Sequence, residues 1–191
     1  MKRTRALVPL VSLCALPLVA GAQLEIKGGL SYGAVPNSNG VLPGKLSANS
    51  GFAVGVGVSS SSLIGFGLEG LYAQRGFTSS VAGASQKLTY VDVPFYLKLT
   101  LPTPGISPFA YAGPQASFEM NCDAGGGTCP SGRAKLTYAG IIGGGVKIGM
   151  LHNLLLEGRY VYGLTNLNLS NVTNSGNYQT RSFMLLAGLG F

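Results

Sequence analysis

Four sets of residues have types and spacings that could do chemistry. Gly65, Gly67 and Gly70 satisfy G-x-G-x-x-G, the spacing of a loop that cradles phosphates. Such a loop must open a helix, and here strand-like alternation continues instead, so coincidence in a Gly-rich chain is the better reading. His152 is the single histidine and the obvious candidate for acid–base work. Cys122 and Cys129 flank a Gly-rich stretch. Two thiolates are too few to hold zinc, whereas a flexible loop lets their Cα atoms approach to about 6 Å, as a disulfide requires. The fourth set is ionic: Glu69, Asp92, Glu119 and Glu157 against Lys27, Lys98, Lys147 and Arg159. What these groups do depends on the elements that carry them.

Of the 191 residues only 10% are charged and 46% are hydrophobic, and 30 are Gly. A soluble domain is about 25% charged. The mean hydropathy is positive, at +0.34. These values exclude a disordered tail, which needs charge and little apolar surface. They also argue against an ordinary soluble enzyme. The glycines show no period of three, so the chain is not collagen-like. Residues 46–68 and 99–118 are uncharged or nearly so and long enough for membrane helices. The run Ser59–Ser62 and the prolines 102, 104, 108 and 114 are unsuited to a helix interior.

Period two fits the whole chain. Leu24, Ile26, Leu30 and Tyr32 alternate with Glu25, Lys27, Gly29 and Ser31. Seven more segments repeat the pattern, around Val54, Phe66, Phe95, Ala112, Ile142, Leu156 and Leu185. Each reaches or approaches the 9–11 or so residues of a tilted transmembrane strand. Connections at Ser59–Ser62, Pro102–Ser107 and Met150–Asn153 are short. Those over Gly33–Ser50, Thr78–Gln86, Asn121–Gly132 and Asn166–Tyr178 are longer and polar. An even number of strands with short turns on one side and long loops on the other predicts a closed, antiparallel, eight-stranded transmembrane β-barrel.

A soluble barrel would share the period but point its apolar face inward. Its outer face would then be rich in Lys and Glu. Here the face opposite the apolar one is rich in Gly, Ala and Ser, with balanced charges. We therefore expect lipid outside and a lumenal charge network of Glu69, Asp92, Lys98, Lys147, Glu157 and Arg159, with Lys27 and Glu119 on the same face. An eight-stranded barrel is just wide enough for its side chains to fill, so no continuous pore is expected. Tyr32, Tyr72, Tyr90, Tyr138, Tyr160, Tyr162 and Phe183 suit aromatic girdles. His152 falls in a short turn, on the side away from the long loops.

The first residues read as a signal peptide. Lys2, Arg3 and Arg5 precede an apolar run from Ala6 to Val19, and Ala20-Gly21-Ala22 suits cleavage after Ala22. That leaves 23–191 as the barrel and lowers the net charge from +7 by three cations to +4. No cationic run suggests nucleic acid. Phe183, Leu185, Leu189 and the terminal Phe191 read as a C-terminal signal for the barrel-assembly machinery. Lys45, Arg75, Lys87, Arg133, Lys135 and Arg181 fall in or beside the long loops, against Glu119 and Asp123. This basic rim suits lipopolysaccharide phosphates, and a merely solvated rim equally well.

Leu68–Gly76, Tyr90–Lys98, Pro108–Pro114 and Arg159–Asn166, in this order and spacing, carry a resemblance. The chain resembles the outer membrane protein β-barrel domain family of small bacterial porin-like proteins, a group that includes the PorT secretion component. The resemblance implies fold and outer-membrane location and supplies no functional residue. The expected role is structural or interactive, through the outer loops, with termini in the periplasm and with no catalysis and no cofactor. A narrow pore or a PorT-like secretion accessory is the first alternative, ahead of a barrel enzyme and a soluble ligand-binding barrel.

Overall fold

The computed structural model describes residues 21–34, 46–79, 84–123, 135–149, 153–165 and 179–191. They form eight strands: β1 (Ala22–Ala34), β2 (Leu46–Ser60), β3 (Ile64–Ser79), β4 (Ala84–Thr100), β5 (Ile106–Asp123), β6 (Leu136–Ile148), β7 (Asn153–Gly163) and β8 (Arg181–Gly190). Each strand pairs antiparallel with the next, and β8 closes on β1. Closure continues past β8 through two backbone hydrogen bonds, Phe191 N to Leu24 O at 2.9 Å and Leu24 N to Phe191 O at 3.2 Å. A closed barrel has no unpaired edge, as the inside of a bilayer demands.

The alternation decides which face meets what. On β1, Leu24, Ile26, Leu30 and Tyr32 are exposed, whereas Glu25, Lys27 and Ser31 are buried. The same inversion runs round the barrel: Val56, Phe66, Phe95, Leu97, Ile142, Leu156 and Leu185 face out, and the ionisable groups of the strand interiors face in. In water this arrangement would expose apolar side chains each worth about 1.5–3 kcal/mol on burial. In lipid it is the stable one. No helix among the described residues is long and apolar enough to cross a membrane.

The end carrying the chain termini has tight connections. Between β2 and β3, Ser61 N donates to Gly21 O at 3.0 Å and Ser62 N to Ser60 Oγ at 3.2 Å. Between β4 and β5, Gly105 adopts φ +83°, a left-handed conformation that glycine takes without a Cβ clash. At the opposite, loop end, the strands run further than apolar alternation indicates. β3 and β4 stay paired to Ser79↔Ala84, so the expected long loop at Thr78–Gln86 shrinks to residues 80–83. The extra pairs are Phe77↔Gln86, Thr78↔Ser85 and Ser79↔Ala84, a mostly polar sequence. Period two in hydrophobicity vanishes there although the backbone ladder does not.

Pro94 and Pro114 lie inside strands of a sheet that has no edge. The β3–β4 register skips from Leu68↔Phe95 to Leu71↔Asp92, and the β4–β5 register from Pro94↔Gln115 to Leu97↔Ala112. The ladder breaks where proline has no N–H to give. A bulge at Thr89/Tyr90 leaves Leu88, Thr89 and Tyr90 all buried. This corrects the girdle: Tyr90 points inside, whereas Tyr32, Tyr72, Tyr138, Tyr160, Tyr162 and Phe183 are exposed on the outer face.

Candidate functional site

The lumen is filled by side chains in layers. Towards the terminal end, Lys98 Nζ sits 3.1 Å from Glu25 Oε1 and donates to Ser59 Oγ at 2.9 Å. Its ammonium also lies 4.6 Å from the centre of the Phe109 ring. Lys27 Nζ then bridges three carboxylates, at 2.9 Å from Glu25, 2.6 Å from Glu69 and 2.7 Å from Glu157. Arg159 Nη2 lies 2.6 Å from Glu69 and 2.7 Å from Glu157, and its Nε donates to Tyr111 O–H at 2.7 Å. Tyr96 donates to Glu69 at 2.5 Å, and Tyr111 donates to Glu157. Three carboxylates thus face three cations with nearly every side chain buried, which is how low-dielectric charges must be arranged.

Glycines make the space. Gly67 stands where an added Cβ would run into the Tyr96 ring, and Gly143 stands likewise against the Tyr111 ring. Without them the two phenols could not reach the carboxylates across the lumen.

Beyond this ionic layer the interior turns apolar. On β3 the inward residues after Glu69 are Leu71 and Ala73, and on β7 Val161 follows Arg159. With Ala53, Ile141 and Met184 they are almost fully buried. The expectation that the inner face is only small or charged is therefore incomplete. Leu155 and Leu186 also point inward. Their neighbours Leu154, Leu156, Leu185 and Ala187 are apolar too, so β7 and β8 are greasy on both faces and alternation cannot separate them.

A second ion pair lies past this band. Arg75 Nη2 pairs with Asp92 Oδ2, and the guanidinium stands 5.2 Å from the Tyr90 ring centre. This corrects the place expected for Arg75, which is not on the rim. It shares inward parity with Glu69 and Ala73, and because β3 continues to Ser79 it lies well inside the barrel, 7% exposed. Asp92, expected with the other lumenal charges, pairs here rather than with the central cluster. Lys147 also stands apart, at the terminal end, where its Nζ donates to Gln23 Oε1 at 3.3 Å.

Several partners were not singled out from sequence. Glu25, Ser59, Tyr96 and Tyr111 complete the network. Shared parity with Lys27 was the available signal for Glu25. For the two tyrosines it was inward parity opposite glycines, Gly67↔Tyr96 and Tyr111↔Gly143.

The rim is partly described. Lys87 and Lys135 are exposed at the loop end, and Arg181 opens β8 with its guanidinium 5.2 Å from the Tyr162 ring centre. Glu119 and Asp123 lie at the same end. Lys45 and Arg133 lie outside the described residues, as do Cys129 and His152. Cys122 sits near the end of β5, paired in register with Leu88. Phe183, Leu185, Leu189 and Phe191 all face outward. The G-x-G-x-x-G run is a continuous part of β3, with no helix after it. Among the described residues no three His, Cys, Asp or Glu side chains are grouped to hold a metal.

The fold has counterparts in known proteins. The outer membrane protein β-barrel domain model matches residues 17–168. No curated protein matches the chain in sequence. Among solved structures it is similar to Ail, the attachment invasion locus protein of Yersinia pestis, solved with the heparin analogue sucrose octasulfate. That match has 16% identity and a TM-score of 0.52, over 90% of this chain and 99% of Ail. It is also similar to Neisserial surface protein A, with 14% identity and a TM-score of 0.56, over 90% of this chain and 99% of that one. At such identities the likeness concerns the fold alone. Together with the family match it makes this chain a member of the outer membrane protein β-barrel domain family, and so a protein of the bacterial outer membrane.

Proposed function

We propose that this barrel is a non-catalytic surface-interaction protein whose loop end faces outward and binds phosphorylated or sulfated polyanions, lipopolysaccharide phosphates first among them. The observation that carries this reading is the contrast between the two parts of the molecule. The lumen pairs its charges internally and is crossed by a band of buried Leu71, Ile141, Val161 and Met184. The loop end instead exposes Lys87 and Lys135, with half-buried Arg181 on β8 at the same end, and Lys45 and Arg133 belong to the adjoining segments. Ammonium and guanidinium groups suit phosphate and sulfate oxygens. The sucrose octasulfate in the Ail structure supports such a ligand class for a barrel of this shape. With eight strands and long connections at one end, the termini then lie in the periplasm.

The test has two parts. Whole cells carrying an epitope in residues 35–45 should bind antibody without permeabilisation. Replacing Lys45, Lys87, Arg133 and Lys135 by Gln should weaken binding of purified, folded barrel to immobilised lipopolysaccharide. Labelling only after permeabilisation would reverse the orientation, and undiminished binding by the variant would remove the rim from the function.

A further inference from the structure

The lipid-facing surface is uneven. Over β2 to β4 it carries full-sized side chains such as Val56, Phe66 and Phe95. Over β7, β8 and β1 the outward side chains shrink over two adjacent levels, Gly28 beside Ala187 and Gly158 beside Leu185. Gly158, Ala187 and Gly28 form a floor between the exposed walls Leu30, Leu156 and Leu185, and the groove they enclose has a volume of about 450 Å³. Binding clefts for small ligands span roughly 300–1,000 Å³.

The groove points at a charge. One residue pair nearer the loop end, Tyr160, Phe183 and Tyr32 stand side by side on the outer face. One pair further, Arg181 lies opposite Tyr162. Four residues separate Leu185 from Arg181, about 13 Å along the strand. The Arg181 guanidinium rests near the Tyr162 ring, and its Nε is buried without a hydrogen-bond partner among the described residues. An apolar channel, an aromatic belt and a guanidinium, in that order towards the loop end, match the order of an acyl chain, an interface and a headgroup phosphate.

We propose that this groove holds one acyl chain of a lipopolysaccharide molecule, whose headgroup phosphate pairs with Arg181. The proposal rests on the outward orientation of the loop end, because the phosphorylated glycolipid occupies the outer leaflet. A chain in the groove meets its floor and the flanking leucines together, and dispersion grows with each added contact. The guanidinium supplies the charge-assisted hydrogen bonds that a phosphate accepts. Of the rim cations this site takes Arg181 alone, and Lys87 and Lys135 are left to meet headgroups only.

Native mass spectrometry of the folded full-length barrel tests it, with deep-rough lipopolysaccharide, its dephosphorylated form and phosphatidylglycerol as separate probes. Wild type should retain one lipopolysaccharide. Gly158→Leu fills the groove, since a Cβ there meets nothing nearer than 3.8 Å, and it should weaken retention about tenfold. Arg181→Gln should do the same, and its effect should disappear with the dephosphorylated probe. Gly70→Leu, at an open outward position on β3, should leave retention unchanged. Equal retention by wild type, Gly158→Leu and Arg181→Gln would overturn the proposal, as would equally tight retention of phosphatidylglycerol. Loss on Lys87→Gln and Lys135→Gln alone would also overturn it while leaving the rim reading intact. Heat-dependent gel mobility checks folding. If Gly158→Leu does not fold, Arg181→Gln and the dephosphorylated probe decide.

Discussion

Replacing Arg159 by Met is the most demanding test of the lumenal network. Arg159 is 1% exposed and lies 2.6 Å from Glu69 and 2.7 Å from Glu157. Its removal leaves Glu25, Glu69 and Glu157 against Lys27 and Lys98, one buried carboxylate in excess. Breaking a buried ion pair from one side costs about 3–5 kcal/mol. The hydrogen bond from Nε to Tyr111 adds about 1 kcal/mol. We expect Arg159→Met to lose about 4–6 kcal/mol on these two counts. Arg159→Lys should lose less, because the charge stays while the planar fork to two carboxylates is gone. Adding Glu157→Gln to Arg159→Met restores a balance of two acids and two cations. The double variant should therefore be less damaged than the sum of the singles, by about 2 kcal/mol. Equilibrium urea unfolding in phospholipid vesicles, followed by circular dichroism and by heat-dependent gel mobility, measures all five proteins: wild type, Arg159→Met, Arg159→Lys, Glu157→Gln and the double variant. A loss under about 1 kcal/mol for Arg159→Met, or additivity within about 0.5 kcal/mol in the double variant, would refute the idea that the network acts as one charge-balanced unit.

Three further outcomes follow from the same geometry. Gly67→Ala places a Cβ against the Tyr96 ring and should destabilise the barrel by about 1–3 kcal/mol, whereas Gly70→Ala, into open space, should stay within about 0.5 kcal/mol; the same urea titration separates them. Planar-bilayer recordings of wild type should be silent, because Leu71, Ile141, Val161 and Met184 stopper the lumen between its two ionic layers; discrete conductance steps would contradict that packing. Cys122 and Cys129 should form a disulfide in exported protein, since the compartment is oxidising; intact mass with and without reductant reads it, and two free thiols before reduction would count against the pairing.

The sequence by itself determined the eight strands, their antiparallel closure and the side that meets lipid. These depend on alternation within ten or so residues, and a strand's geometry turns alternation directly into two faces. It also marked Glu69, Glu157, Lys98 and Arg159 as inward charges, because parity is local. Which charges meet was decided only by the closed barrel. Lys27 finds Glu69 at a separation of 42 residues and Glu157 at 130, and Arg159 finds Glu69 at 90. Strand tilt and register fix those meetings, and neither is written in a single segment. The same holds for Arg75, expected on the rim and drawn into the lumen because polar residues extended β3 beyond the reach of any hydrophobic period. It holds for Tyr90, turned inward by a bulge, and for the apolar band, hidden where β7 and β8 are apolar on both faces. Side-chain pattern selects a face, but only the assembled sheet sets the height at which each residue stands and the neighbour it finds across the lumen.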